Sequence, residues 1–597
     1  MNNFKKAMTK LFNHYQNYQY DQDLAMAPAH EVWKSQSLNI YFENNNYQTK
    51  TVSGQGIYQY VSFFVDTLDV KDVNISRIRF NQNEQMQSGF LLVKNPDDEL
   101  LIRCAELIKL NLFNNIVIMP DGHLTKDNIV GFSARAKQDD NLVILPSIVG
   151  ADIGCGVLSA DFNHELFKDL SDEEIAKMFS ALDQGVVNLI PAGQAAQHDL
   201  NQLKASQFYQ NSFDQSFFEL VEKQVESFLK QTYFYHKLDP RAQVLLKNNI
   251  IANSATLGDG NHFIEINKSG SKSALKNNQK WTLNIHSGSR TFGSAIYQYY
   301  QKQAQTIIKA KREAFINANK DQVKNMKQLY NQQKISGQAL NDWFANYKAQ
   351  LASDNVAILK DKLAWEYFHD VQVGQNYGCF NRELMMLMIE NYFAQHVIKN
   401  VNLLPIFNGN HYHNIHNSAF KIGKEIVLLK GTILGQVLDI SATKDNIHPN
   451  HIPLNMRDGI IVTYPVYDYQ SEHSGALFNY ALPHGAGRYR SRSAFRKTDP
   501  DANLEHFQKQ MVGVVSSCVN HDTIDESPKA YKNQNEIISQ SKMLFNEFEI
   551  QQPVYAFKGH NQLPFKKQQW QIKRANGEYD HNYLKSCLKK QLSKTMS

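Results

Sequence analysis

The chain has little cysteine, and what it has is scattered. Its 597 residues include five cysteines, and none of them forms a CxxC pair. An odd, sparse count in a chain of this length excludes a disulfide framework and favours a reducing compartment. No run of about 18 apolar residues predicts a membrane span, and the first residues lack the apolar core of a secretory signal. We therefore expect a cytoplasmic protein without a membrane segment.

Neither sign of charge dominates the sequence. The 63 lysine and arginine residues exceed the 58 aspartate and glutamate residues only slightly, for a formal net charge of +5. This excess is too small to indicate nucleic-acid binding by itself. Hydrophobic residues make up 42% of the chain, which excludes general disorder and allows a large core. The length suggests several domains or one elaborated catalytic domain.

No internal repeat or proline-rich linker divides the chain. Residues 1–95 are polar, with short strand-like runs such as IYQYVSFFV (57–65). Beyond them the periodicity predicts helices near 99–113, 164–250, 294–398 and 500–548, and strands near 114–123, 128–160, 256–293 and 401–490. The conspicuous motifs lie at strand ends, where a rigid sheet would present the side chains of a site.

One stretch, ILPSIVGADIGCGV (144–157), sets a carboxylate and a thiol among glycines after an apolar run. Asp152 and Cys155 could be a turn cap and a small buried side chain, or they could be metal ligands. Four histidines lie in similar turns beside apolar runs: His262, His286, His413 and His484. A single histidine in such a turn is more often structural, but four of them favour a metal site. Their spacing alone does not assign them to one site.

A second stretch, HGAGRYRSRSAFRK (484–497), has the features of a phosphate site. Its glycines would allow close approach of a phosphate, and Arg488, Arg490 and Arg492 could donate to phosphate oxygens. His484 could act as a nucleophile toward phosphorus. The alternative is a basic surface loop.

Several motifs occur in the order in which the RtcB family of RNA-splicing ligases has them, and the chain resembles that family over about residues 99–559. The motifs are MPDGH (119–123), VGADIGCGV (149–157), LIPAG (189–193), GDGNHFIEI (258–266), HSGSRTFG (286–293), NREL (381–384), HNI (413–415), KGT (430–432), HGAGRYRSRSA (484–494), DESPKAYKN (525–533) and YAFKG (555–559). One such motif would be weak, whereas the ordered set is specific. The resemblance implies an α+β fold, with mixed β-sheets around a central metal cleft and surrounding helices.

The resemblance implies an enzyme that uses GTP and two Mn²⁺ ions to join RNA ends. A 3′-phosphate or 2′,3′-cyclic phosphate end would be joined to a 5′-hydroxyl end through a histidine–GMP intermediate, in tRNA splicing or RNA repair. RNA and GTP are the implied partners, and an archease-like activator is known for the family.

The same resemblance implies a role for each matching residue. Asp152, Cys155, His262, His286 and His413 match metal ligands, with the Cys155 thiolate between the two ions. His484 matches the guanylylated histidine. The implied nucleotide contacts are Asn261, Glu265, His484, Gly485, Ala486, Gly487, Arg488, Tyr531 and Lys558. Arg290 and Arg488 match arginines that handle phosphate.

The chain departs from the family's pattern at two places. Leu429 replaces a second arginine that usually precedes the KG pair, and TYPVYDYQSEH (463–473) replaces the PGSMG nucleotide loop. In HYHNIHN (411–417) the ligand is taken as His413, because it precedes NI as in the family, with His416 as the alternative. Two other hypotheses remain: a catalytically silent RNA-binding paralogue and a metal-dependent phosphoesterase.

The expected organisation has three parts. Residues 1–95 form an extension of unknown role, and residues 96–559 form the catalytic domain with helical additions near 164–250 and 294–380. Residues 560–597 form a basic tail, whose lysines could neutralise RNA phosphates while Trp570 and Tyr583 stack on bases. A frayed terminus is the alternative for the tail.

Overall fold

A computed structural model gives the architecture of most of the chain. The described residues are 2–16, 42, 45–70, 73–80, 89–125, 128–136, 142–189, 215–269, 280–353, 356–398, 406–422, 425–435, 449–463, 478–545 and 548–559. Three predictions therefore lie outside the described residues in whole or in part: the LIPAG motif beyond residue 189, the replaced nucleotide loop beyond Thr463, and the basic tail.

The larger of two main sheets begins in the amino-terminal segment. Its eight strands, in spatial order, are β1 (Gln48–Gln55), β2 (Tyr60–Val70), β3 (Val73–Arg79), β4 (Gly89–Leu91), β5 (Phe113–Leu124), β6 (Ile129–Ala136), β14 (Glu425–Lys430) and β13 (Asn417–Ile422). Val61, Phe63 and Val65 of β2 are buried with the period of two that a sheet with one core-facing side requires. Because β4 pairs with β5, the strands before residue 95 belong to the same sheet as the strands after it.

The smaller main sheet is antiparallel throughout. Its seven strands, in spatial order, are β12 (Phe407–Ile415), β8 (Gly156–Phe162), β10 (Trp281–Ser287), β9 (Phe263–Ser269), β19 (Phe548–Lys558), β17 (Gly459–Thr463) and β16 (Asn450–Asn455). Two minor sheets pair β7 (Val143–Ile144) with β11 (Leu359–Lys360), and β15 (Thr432–Leu434) with β18 (Ala481–Pro483). Mixed sheets with many helices confirm the predicted α+β class.

Helices cover the sheets. They are α1 (Asn2–Gln16), α2 (Asp98–Lys109), α3 (Pro146–Val149), α4 (Asp172–Leu189), α5 (Gln215–Gln231), α6 (Tyr233–His236), α7 (Pro240–Ala252), α8 (Thr291–Ala318), α9 (Lys320–Asn331), α10 (Gly337–Ser353), α11 (Asp361–Tyr392), α12 (Arg492–Thr498), α13 (Leu504–Gln510) and α14 (Gln534–Gln540). Short 3-10 turns span His164–Leu166, His521–Glu526 and Pro528–Ala530, and a π turn spans Phe393–Ile398. Among the described residues, no helix has both the length and the apolar character that a membrane crossing requires.

The longest helix, α11, is buried along most of its length and organises the core. Arg382 is fully buried on it and donates to the carbonyl oxygens of Gly154 and Ser287, both at 2.7 Å. The amino-terminal helix α1 packs on the same helix, with the ring centroids of Phe12 and Phe380 5.5 Å apart. The core helix thus holds the turns that precede β8 and follow β10, where the predicted ligands lie.

Candidate active site

Four neighbouring strands of the smaller sheet each bring one candidate ligand to the same end of the sheet, where their strand ends meet. Cys155 immediately precedes β8, His262 immediately precedes β9, His286 is near the end of β10, and His416 immediately follows β12. The register places His286 opposite Phe263, the first residue of β9, and the last residue of β12 opposite the first residue of β8. Since adjacent antiparallel strands run in opposite directions, one strand's end lies beside the next strand's beginning.

Cys155 lies among the other candidate ligands at this end of the sheet. Its Sγ is 3.2 Å from Nε2 of His286 and 3.6 Å from Nε2 of His262. Nε2 of His262 is in turn 3.1 Å from Oδ2 of Asp152. Two sets of side chains have ligand atoms within 4.8 Å of one another, Cys155–His286–His416 and Asp152–Cys155–His262. Because Cys155 belongs to both sets, its sulfur could be a ligand of a cation held by either set.

His413 does not join this cluster. Its Nε2 lies 2.8 Å from Oε1 of Glu383. Burial lowers its pKa, but the neighbouring Cys379 and Glu383 outweigh burial and raise the pKa to about 9. Side chains alternate between the faces of a strand, so the odd offset of three from His413 to His416 changes the face. The structure therefore places His416, the alternative that the sequence offered, with the other candidate ligands, and places His413 beside Glu383.

The imidazole ring of His416 is buried and has no hydrogen-bond partner among the described residues. Neither ring nitrogen bonds any group of the described residues, although its backbone N–H donates to the Cys155 carbonyl at 2.6 Å. Buried polar atoms are nearly always satisfied, so an imidazole with two unpaired nitrogens indicates a missing ligand. Burial, aided by the His484 ring, keeps the pKa of His416 well below its ordinary value. The resulting neutral imidazole is the form that binds cations.

The pKa values of the other candidate ligands determine whether each group is ready to bind a cation. Burial and the neighbouring His416 hold the pKa of His286 well below its ordinary value. Burial raises the pKa of Asp152, but His262 and Arg290 outweigh burial, so the pKa is low and the group is a carboxylate. Burial and Asp152 raise the pKa of the Cys155 thiol, which would therefore have to release its proton to solvent before the sulfur could bind a cation.

A close approach explains one glycine of the HSGSR motif. A Cβ at Gly288 would lie 2.1 Å from Oδ1 of Asp152, so any side chain there would displace the carboxylate. Next to it, Arg290 has a φ of 54°, a left-handed conformation that is strained for a residue other than glycine. Its guanidinium occupies the space that a Cβ of Gly258 would need, because Nη1 would be 2.0 Å away. Arg290 thus lies beside the Asp152 end of the cluster.

His484 approaches the cluster from the other side, directly after β18. Its ring centroid is 5.3 Å from that of His416. Its Nδ1 is 2.5 Å from Oδ2 of the fully buried Asp121, and its backbone N–H donates to the same oxygen at 3.2 Å. A proton on Nδ1, donated to this carboxylate, leaves the lone pair of the ring on Nε2. Asp121 belongs to the MPDGH motif, but nothing in the sequence around it indicates this contact with His484.

A cavity of about 910 Å³ opens next to His286 and His484. Its volume is in the range of cavities that bind cofactors. Its lining includes every predicted nucleotide contact: Asn261, Glu265, His484, Gly485, Ala486, Gly487, Arg488, Tyr531 and Lys558. Gly487 has a φ of 70°, and a Cβ there would lie 2.3 Å from the carbonyl oxygen of Asp121. The glycine-rich turn therefore packs directly on the strand that holds the His484 partner.

Comparison with known proteins agrees with this geometry. A family model described as tRNA-splicing ligase RtcB matches residues 103–559. The chain belongs to the RtcB family. It is 25% identical to the RNA-splicing ligase RtcB of Escherichia coli K12 over 456 residues, which are 75% of this chain and 91% of that protein. It is 23% identical to the tRNA-splicing ligase RtcB of Pyrobaculum aerophilum over 476 residues, 74% of this chain and 87% of that protein.

One buried carboxylate of this RtcB-family chain organises the cationic wall of the cavity. Glu526 accepts from the Tyr531 hydroxyl at 2.5 Å and lies 3.3 Å from Nζ of Lys558 and 3.5 Å from Nη1 of Arg488. Arg492 forms a further ion pair with it. Burial raises its pKa, but these cations outweigh burial and bring the pKa to about 2. Glu526 lies in the DESPKAYKN motif, but no local pattern in the sequence indicates its contacts with these cations.

We expect Glu526→Gln to lower the free energy of unfolding by about 3 kcal/mol at pH 7, because a pKa lowered to about 2 reports a favourable charged state. The sign follows from linkage: this stabilisation is complete above the unfolded-state pKa of about 4.3 and is lost as pH falls toward 2. Urea unfolding of both proteins between pH 7 and pH 3.5 should show the difference narrowing only below about pH 4.5. Glu505→Gln, at an exposed carboxylate, is the matched control and should change little.

Proposed function

We propose that this chain is a GTP- and Mn²⁺-dependent RNA ligase that joins 3′-phosphate or 2′,3′-cyclic phosphate ends to 5′-hydroxyl ends. The names of its relatives, RNA-splicing and tRNA-splicing ligases, support the reaction class. The observation that carries the proposal is the shared Cys155 sulfur, flanked by two sets of ligands, with His484 and its cavity alongside. A cytoplasmic location, a role in tRNA splicing or RNA repair, and an archease-like activator stay predictions from the sequence.

The donor set fits two divalent cations. Asp152, Cys155 and His262 would hold one, and Cys155, His286 and His416 the other. The unpaired nitrogens of His416 and the neutral state of His286 support this assignment. Imidazole and carboxylate ligands are compatible with Mn²⁺. Bound cations would neutralise charge on the transferred phosphoryl group and orient the groups that react.

His484 is the proposed covalent carrier of GMP. The lone pair on Nε2 would attack the α-phosphate of GTP, forming an N–P bond while pyrophosphate leaves. Asp121 would hold the ring through Nδ1–H and balance the positive charge that develops on it, as the carboxylate of a catalytic triad does. GMP would then pass to the RNA 3′-phosphate, and the 5′-hydroxyl would displace GMP to form the new phosphodiester.

The cavity residues are the proposed nucleotide contacts. The turn from Gly485 to Arg488 would lie against the phosphates, with Arg488 donating to their oxygens. Tyr531 and Lys558 would contact the guanine side. Asn261 and Glu265 line the same cavity, and burial, only partly offset by Lys558, raises the pKa of Glu265 to about 7. A carboxyl that is partly protonated at neutral pH could donate as well as accept hydrogen bonds.

The test is incubation of the full chain with GTP labelled at the α-phosphate, with Mn²⁺ and without RNA. A ligase of this type should become covalently labelled, and subsequent addition of a 3′-phosphate RNA and a 5′-hydroxyl RNA should remove the label and give a joined product. A silent paralogue would bind RNA without labelling. A phosphoesterase would release phosphate from the RNA end without labelling, and either result would reject the proposal.

Two variants test which histidine near the end of β12, His416 or His413, is the metal ligand. His416→Ala should lose one of the two bound cations and reduce ligation by about 100-fold or more, since a ligand is removed from one ion. His413→Ala should keep both cations and lose stability instead, because it removes the 2.8 Å contact with Glu383 and leaves that carboxylate with the longer hydrogen bond from the Tyr15 hydroxyl at 3.3 Å. Elemental analysis of bound Mn²⁺ and thermal unfolding of both variants provide the measurement. Loss of metal from His413→Ala alone would restore the original assignment.

A further inference from the structure

A three-helix arm projects from the body of the molecule. We define the arm as residues 305–353, which comprise the second half of α8 with α9 and α10. All the buried residues of the 28-residue helix α8 lie between Phe292 and Ala304, and α9 has no buried residue. At a rise of about 1.5 Å per residue, α8 extends roughly 20 Å beyond its last buried turn. Within the part of the chain that the structure describes, the burial of α8 is thus confined to the turns that precede the arm.

The arm has a small apolar interior of its own. Phe315 of α8 lies 5.3 Å from Tyr347 of α10, and Tyr347 stacks on Trp343 at 5.4 Å between ring centroids. Val323, Met326 and Leu329 of α9 are half-buried, at a helical spacing that forms one stripe. These contacts hold the three helices together and leave their outer faces to solvent.

The outer faces are strongly basic. The arm has eight lysine or arginine residues against three carboxylates, while the chain outside the arm and residues 560–597 has more carboxylates than basic side chains. The eight are Lys309, Lys311, Arg312, Lys320, Lys324, Lys327, Lys334 and Lys348, and all are exposed. Of these eight residues, only Lys309 has an ion-pair partner among the described residues, Glu313 at 3.8 Å. Unpaired cations on one projecting element create a positive potential that attracts a polyanion.

Three of these lysines form a row. Lys320, Lys324 and Lys327 have the spacing i, i+4 and i+7 on α9, so they lie on one face of the helix. These three lysines are exposed and lie on a different side of α9 from the half-buried Met326 and Leu329. A row of lysines along a helix is suited to successive phosphates of a nucleic-acid backbone.

The helix that carries the arm, α8, begins at the candidate active site, about 20 Å from the base of the arm at residue 305. α8 begins at Thr291, directly after Arg290, which lies beside Asp152. We propose that the arm binds the phosphate backbone of the RNA substrate and holds the strand whose end lies at the metal centre. This inference rests on the proposed function, because the polyanion that must reach this centre is RNA. It adds a substrate-binding surface that is separate from the nucleotide cavity.

The experiment compares the full chain with a triple variant, Lys320→Gln, Lys324→Gln and Lys327→Gln. The probe is a 20-nucleotide single-stranded RNA with a 3′-phosphate, and its affinity is measured from 0.05 to 0.3 M salt. Each lost phosphate contact should lower the salt slope by about 0.7, so the variant should lose about 2 from the slope and about ten- to a hundredfold in affinity at 0.1 M salt. Labelling by GTP in the absence of RNA should be unchanged.

The control variant removes the same charge from the body: Lys168→Gln, Lys177→Gln and Lys230→Gln, at exposed lysines of surface ion pairs. It should bind the RNA as the unaltered chain does. An equal loss in the control, or an unchanged slope in the arm variant, would overturn the inference. So would an arm variant that keeps its RNA affinity but no longer binds phosphatidylserine vesicles. If the unaltered chain binds RNA through the arm but is never labelled by GTP, the proposed function fails while the arm's role stands.

Discussion

Cys155→Ala should leave a folded protein that holds neither cation and that ligates RNA at least about 10³-fold more slowly. The sulfur belongs to both ligand sets, so its removal weakens both metal positions at once. Replacing one buried sulfur by hydrogen creates only a small cavity and should cost about 1–2 kcal/mol of stability. Elemental analysis of bound Mn²⁺ and a thermal unfolding curve on the same sample separate the two effects.

The pH dependence of metal binding gives a second signature of the same thiol. Its pKa is raised in the absence of metal, so the group is a thiol near neutral pH and must release one proton when a cation binds. His286 and His416 are already neutral and should release none. Apparent affinity should therefore rise about tenfold per pH unit between pH 6 and 8. The residual binding of Cys155→Ala should lack this slope.

Cys104→Ala is the matched control, because Cys104 is fully buried in the core on α2 and is remote from the metal ligands. It should lose a similar amount of stability and keep both cations and full activity. Normal metal content and activity in Cys155→Ala, with only reduced stability, would show that Cys155 is a packing residue and would defeat the ligand assignment.

His484→Ala should abolish covalent labelling by GTP while the protein keeps two cations and its affinity for RNA. His484 is not a member of either ligand set, and its Nδ1 is held by Asp121, so its removal takes away only the nucleophile. The adduct of the unaltered chain should be acid-labile and alkali-stable, as a phosphoramidate is. The variant should still seal RNA supplied with a guanylylated 3′ end, because the last step does not use the histidine.

Asp121→Asn is the graded companion of this variant. The amide can hold the ring but can also select the wrong tautomer, so labelling should slow by a factor on the order of 10²–10⁴. The pH profile of labelling should shift with it, which a merely structural role for Asp121 would not produce. Undiminished labelling of His484→Ala, or a label that maps to a lysine, would reject the assignment of His484.

The sequence was sufficient to predict which motifs lie at strand ends, and most residues of the candidate site belong to those motifs. Apolar runs ending in glycine-rich turns predicted that Cys155, His262 and His286 lie at strand ends, and the antiparallel register brings those ends together. Motif similarity favoured His413 over His416 because it does not count strand positions. β12 ends at Ile415, and the residue that lies in the cluster is His416.

The two carboxylates that orient the site, Asp121 and Glu526, could not be predicted from the sequence. Asp121 lies more than 360 residues from His484 in the chain, and only the packing of β18 against β5 brings them together. In the sequence Glu526 is an ordinary acidic residue of a polar turn. Only the fold places Arg488, Arg492 and Lys558 around it. Local patterns indicate which side chains carry chemistry, whereas their supporting partners depend on long-range contacts that no local pattern encodes.

The amino-terminal strands determine which edge of the larger sheet meets solvent. β4 pairs with β5 through Ile116, Val117 and Ile118, and without residues 1–95 the backbone groups on the β4 side of this apolar segment would be unpaired, while those on the other side stay paired with β6. An exposed apolar edge is a template for pairing between molecules and for aggregation. The edge that exists instead is β1, QTKTVSGQ, a polar strand in which only Val52 is buried. The extension thus protects the strand that carries Asp121, and a chain shortened to the family's matched region should be poorly soluble.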